Sequence, residues 1–157
     1  PYHEDGNPEM YTKENIAKRQ SLYRNDMVEE AINDFMKEFK MNSQGQVSKD
    51  EYQRVFLSVG MILRPGIDAD ELLKLIKEEF EADTSDTKML FVTEEDQKSQ
   101  ADRELENNQQ QQQQNQAAGG MPKTYEFIDS QKLYRALFEL ADVWCPNIDE
   151  FEYKAFF

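Results

Sequence analysis

Cysteine, histidine and tryptophan each occur once in this chain of 157 residues. With Cys145 alone, no internal disulfide can form, and that usage fits a reducing, intracellular compartment. The single histidine, His3, sits in a segment without periodicity. No Ser-His-Asp or Cys-His arrangement with a placed base can therefore be assembled, and Cys145 beside Trp144 reads as a small hydrophobe, not a nucleophile. Positive charge is also scarce. Lys and Arg number 18 against 32 Asp and Glu, a net charge of -14. Binding phosphates needs a basic patch, so nucleic acid and anionic membranes are excluded as partners. No apolar run approaches the ~20 residues that span a bilayer, and no signal peptide is visible. Glycine is sparse, and Gly119-Gly120 reads as linker, so no Gly-rich loop is available to cradle phosphate. These absences leave no case for an enzyme. Present instead are ten Phe, seven Tyr and seven Met, enough for a small aromatic core. The pattern starts at Pro1 and stops at Phe157 within a helical period, as a fragment of a longer protein would.

Periodicity organises the chain into helices. Residues 1–11 read as an extended arm. Thr12 is positioned to cap a helix running on through Phe39, with Val28, Ile32, Phe35, Met36 and Phe39 on one face. Loop chemistry follows from Lys40 to Ser48. A second helix, about Lys49 to Met61, carries Tyr52, Val55, Phe56 and Val59. Arg64-Pro65-Gly66 breaks the chain. Asp68 then caps a third helix with Leu72, Leu73, Ile76 and Phe80 as its stripe, and Glu81 to Asp86 reads as loop. A fourth helix starts near Asp129 and carries Leu133, Ala136, Leu137 and Leu140. After Cys145-Pro146-Asn147, Asp149 caps a last helix bearing Phe151, Phe156 and Phe157. A long insertion, about 87–127, separates the third and fourth helices. It holds a short apolar run at Met89–Val92, a polar stretch from Glu94 and a Gln-rich tract at Gln109–Gln116. Such composition cannot bury enough apolar area to order itself, so disorder is expected over about 107–122.

The stretch Phe39–Glu51 has the outline of a calcium loop without its chemistry. Gly45 stands where such a loop turns sharply, Val47 where it pairs with a neighbour, and Glu51 closes it. Around it, Ile32, Phe35, Met36 and Phe39 precede the loop and Tyr52, Val55, Phe56 and Val59 follow. In these positions the chain resembles the calmodulin-like EF-hand pairs. Across the insertion a second hand has the same order: Leu73, Ile76 and Phe80, then Ile128-Asp129, then Leu133, Ala136, Leu137 and Leu140. Lys77 departs from the pattern by standing where an apolar residue is usual. The resemblance spans roughly 28–142. It implies an all-α fold of two helix–loop–helix units joined by a short two-stranded pairing of their loops, Val47 to Ile128, with the insertion inside the second loop. Residues 1–27 are then an arm and helix extension, and 143–157 a C-terminal helix. If Val47 and Ile128 do not pair, the resemblance fails, and an acidic helical docking domain of unrelated fold takes its place.

A calcium loop needs oxygens at alternate positions and a closing bidentate Glu. The first loop offers Asn42, Gln44, Ser48 and Glu51, with Lys40 in place of the first carboxylate. Two unit charges ~4 Å apart at an effective dielectric of ~20 interact by about 4 kcal/mol, so Lys40 opposes a cation there. The second loop has Glu81, Asp83 and Ser85, but Asp86 replaces the turning glycine and Lys132 the closing carboxylate. No metal or other cofactor is therefore expected, calcium being the one to consider. The apolar residues Phe35, Met36, Phe56, Leu137, Phe138, Phe151 and Phe156 are either core or the lining of a groove for an amphipathic helix, a role Met suits by its adaptable side chain. Lost ligands with retained apolar faces give an expected function: a non-catalytic adaptor or structural subunit binding a protein partner in a hetero-complex. The resemblance points to a cytoskeletal or ciliary (axonemal) assembly. The alternative is a calcium-responsive regulator with one low-affinity site.

Overall fold

A computed structural model describes residues 12–85 and 125–157. The arm 1–11, the Met89–Val92 run, the polar stretch and the Gln-rich tract lie outside them, so the disorder expected over 107–122 does too. The described residues fall into two units, 12–20 on one side and 21–85 with 125–157 on the other. Of the first, the helix α1 (Lys13–Leu22) begins as expected. Thr12 Oγ1 accepts from Asn15 N–H at 3.2 Å, and its carbonyl accepts from Ile16 N–H.

The second unit contains α2 (Asp26–Met36), β1 (Gln46–Ser48), α3 (Lys49–Leu63), α4 (Ala69–Thr84), β2 (Phe127–Asp129), α5 (Ser130–Trp144) and α6 (Glu150–Phe156). The single helix expected from Thr12 to Phe39 is in fact two. Asn25 breaks it: its side-chain oxygen accepts from the N–H groups of Met27 and Val28, an N-cap that a continuous helix would forbid. The preceding turn closes through Arg24 N–H to the Ser21 carbonyl and Asn25 N–H to that of Leu22. At its far end α2 stops at Met36, and residues 37–39 tighten into bonds three residues apart, Phe39 N–H reaching the Met36 carbonyl.

Two helix–loop–helix units result, α2–β1–α3 and α4–β2–α5. Their loops pair antiparallel with Val47 opposite Ile128, Gln46 opposite Asp129 and Ser48 opposite Phe127. Val47 and Ile128 point inward and are fully buried. Around them α3 packs against α4 and α2 against α5, because each unit alone has one apolar face and nothing to cover it with. Val28, Ile32, Phe80, Leu133 and Leu137 are completely excluded from solvent. Gly60 lets α3 approach α4 closely; a Cβ there would lie 2.8 Å from a methyl of Leu72. The sequence ended α3 near Met61, yet it continues to Leu63. Similarly, Glu81–Thr84, read as loop, is the last turn of α4.

A buried polar contact joins the two helix–loop–helices. The Tyr52 hydroxyl on α3 donates to Asp83 Oδ2 on α4 at 2.6 Å, and both residues are almost wholly buried. Burial first, and the neighbouring Asp83 carboxylate second, push the phenol well above its ordinary range, so it stays a donor. Stripping the donor leaves a buried carboxylate short of a partner, which costs ~1–3 kcal/mol. Tyr52→Phe should therefore lower the urea midpoint by that equivalent with an unchanged m-value, measured by equilibrium unfolding.

Candidate functional site: the two loops and their closing residues

Asn42 shapes the first loop from within. Its side-chain oxygen accepts from the N–H groups of Gln44 and Gln46, both at 2.9 Å, while Gly45 N–H returns to the Asn42 carbonyl. Gly45 has φ of 71°, a left-handed conformation that costs other residues roughly 1–2 kcal/mol. Gln44 presents only its backbone to this network, and Ser48 caps α3 by accepting from Glu51 N–H at 3.3 Å. The oxygens of Asn42 and Ser48 that could face a cation are thus spent on backbone donors.

Glu51 is held in the same way. One oxygen, Oε1, accepts from Lys40 N–H at 2.9 Å and from Arg54 Nη2 at 2.7 Å. The other accepts from Arg54 Nε at 2.9 Å. Arg54 sits one helical turn along α3 and grips the carboxylate bidentately, the strongest geometry available to such a pair. It also reaches the Glu38 carbonyl at 3.5 Å. Arg54 first and the Lys40 N–H second hold the Glu51 carboxyl at about 2, against partial burial that acts the other way. An entering cation would have to displace a guanidinium from both oxygens of the only acidic ligand.

The second loop is closed by a group of opposite sign. Lys132, in the position of Glu51, sends its ammonium to the Thr84 carbonyl at 2.8 Å. Arg135, in the position of Arg54, donates to the Asp83 carbonyl at 2.8 Å. Of the ligands considered from sequence, Asp83 is turned into the core towards Tyr52, and Glu81 lies 3.6 Å from Lys49 on the surface. Since α4 continues through Thr84, these residues are helical and do not encircle a point. Among the described residues, no group of three or more His, Cys, Asp or Glu side chains is arranged to hold a metal ion.

The seven residues expected to line one groove do not share one surface. Leu137 and Phe138 are interior, Met36 is 7% exposed, and Phe151 is 65% exposed. Phe35 and Phe56 are half-buried and belong to a row of rings: Phe35 to Phe39 at 6.0 Å, Phe39 to Phe56 at 6.2 Å, Phe56 stacked on Tyr52 at 4.1 Å. Phe156 touches Phe157, whose ring meets Phe35 at 5.4 Å. Cys145 is buried, and burial pushes its thiol up to about 11, so it is not a thiolate at neutral pH. His3 lies outside the described residues. No described helix is long and apolar enough to cross a membrane.

The sequence reading missed Arg54, Tyr52 and Lys132 as partners. Only the first had a local signal, since Glu51 and Arg54 are three apart on one helix face. The Glu51 clamp has a pH signature. Its carboxyl is depressed in the fold, so its stabilisation is fully present above the unfolded value near 4.5 and is lost as pH falls towards about 2. Relative to wild type, Glu51→Gln should lose ~1–3 kcal/mol at neutral pH, and the difference should shrink through that acid window, read from urea unfolding at a series of pH values. Compared with known protein families, curated proteins and solved structures, the chain matches none.

Proposed function

We propose that this chain is a non-catalytic protein-interaction module built on a degenerate EF-hand pair, whose helix angles are set without calcium. The observation that carries the reading is the pair of direct tethers. Glu51 binds the Lys40 N–H at the end of one entering segment, and Lys132 binds the Thr84 carbonyl at the end of the other. In a calcium-loaded loop the ion bridges these ends; here a side chain does, with Arg54 supplying the positive charge at Glu51. The register of Val47 on Ile128 and the packing of α2 on α5 and α3 on α4 support the same reading. A module locked in this way has no ion-driven switch. Its acidity suits a basic, amphipathic helical partner through electrostatic steering. The sequence resemblance, not the geometry, is what favours a cytoskeletal or ciliary assembly as its setting.

Calorimetric titration with calcium to millimolar concentration should give no saturable heat, and the thermal midpoint should be the same in calcium and in chelator. Saturable heat that disappears in Glu51→Ala would overturn the proposal in favour of a low-affinity regulator. Arg54→Ala should lower the thermal midpoint, and by the same amount in calcium and in chelator.

A further inference from the structure

Helix α6 is seated on the rest of the second unit as a ligand would be. It follows the Cys145-Pro146-Asn147 break and packs chiefly on α2, with a smaller contact to α5. Asp149 caps it by accepting from the N–H groups of Phe151 and Glu152. Only one of its residues, Tyr153, is fully buried. The Tyr153 ring lies 5.4 Å from that of Phe138, and its hydroxyl donates to Asp142 on α5. At one end Glu150 accepts from the Asn25 side-chain amide at 2.6 Å. At the other, Phe157 covers Phe35. An aromatic anchor in a pocket, flanked by two peripheral contacts, is how amphipathic helices are bound in grooves.

Beneath α6 lie Phe35 and Phe138, two of the residues offered from sequence as either core or groove lining. We infer that α6 is a self-ligand: it occupies in cis the α2–α5 face at which the module takes a protein partner, and that partner is an amphipathic helix with an aromatic anchor in the place of Tyr153. The inference rests on the interaction-module reading above and deepens it by naming the site and what guards it. Tyr153 is the one fully buried residue of the strap, and Phe151 on the same helix is 65% exposed. A short segment with one fully buried residue opens locally more readily than helices whose apolar faces are wholly enclosed. When it occupies its seat nine-tenths of the time or more, it weakens an external helix about tenfold or more.

The test uses the full chain and, as probe, a fluorescent synthetic peptide of residues 146–157. The peptide should bind the Tyr153→Ala chain about tenfold or more tighter than wild type, with one peptide per chain, and a peptide carrying the same substitution should bind neither. Equal affinity for both chains, or binding to neither while Tyr153→Ala retains its helical circular dichroism, overturns the inference. If that variant unfolds, hydrogen exchange on wild type decides. Amides of α6 should exchange well before those of α2 and α5; equal protection overturns a detachable strap. A wild-type dimer that exchanges α6 between copies would overturn the assignment in cis. Failure here with unchanged calcium indifference would remove only the strap, whereas saturable calcium heat would remove the underlying reading.

Discussion

The second unit depends on the antiparallel pairing of Val47 with Ile128. The two residues belong to loops far apart in the chain, with the long insertion between them. Each helix–loop–helix has one apolar face and cannot bury it alone. Three residue pairs fix the relative placement of the loops, and with it which helix meets which. Once the register is set, α3 falls against α4 and α2 against α5, and their inward side chains close one core. A slip of one residue would turn Val47 and Ile128 outward and bring their polar neighbours inside. The length of the insertion matters little to this, because closure entropy grows only slowly with loop length.

Around that pairing, side chains tie the ends of the two loops together in two ways. The first keeps its closing carboxylate and neutralises it with Arg54. The second inverts the closing charge and uses Lys132 to reach a carbonyl directly. Both solutions join the start of the exiting helix to the end of the entering segment, Lys40 in one case and Thr84 in the other, and both place an arginine one turn further on. The same mechanical result, a side-chain tether across each loop, thus comes from closing groups of opposite charge.

Much of this was legible in the sequence. The apolar periods placed the helices, Asp68, Asp129 and Asp149 marked their starts, and the resemblance to EF-hand pairs implied the pairing of Val47 with Ile128. The errors are local and instructive. Asn25 read as an ordinary helical residue, because a cap is recognised only when the chain before it turns away. Glu81–Thr84 read as loop, because its polar composition hid a last turn stabilised by Tyr52 on Asp83 and by Lys132 on Thr84. Leu137 and Phe138 were offered as groove or core; Leu137 is core, and Phe138 is covered by Tyr153 of α6.

By itself the sequence determined which faces are apolar, where chain breaks fall, and that Lys40 and Lys132 stand at the first position of one loop and the closing position of the other, since these follow from residue type and short-range spacing. Only the tertiary structure decided what the remaining polar groups do. Arg54 closing on Glu51, Lys132 reaching Thr84, Tyr52 finding Asp83 and Tyr153 seating α6 each depend on where the backbone brings two groups together. Three of these four contacts join groups at least ten residues apart in the chain, and a contact across that distance leaves no periodic trace in the sequence.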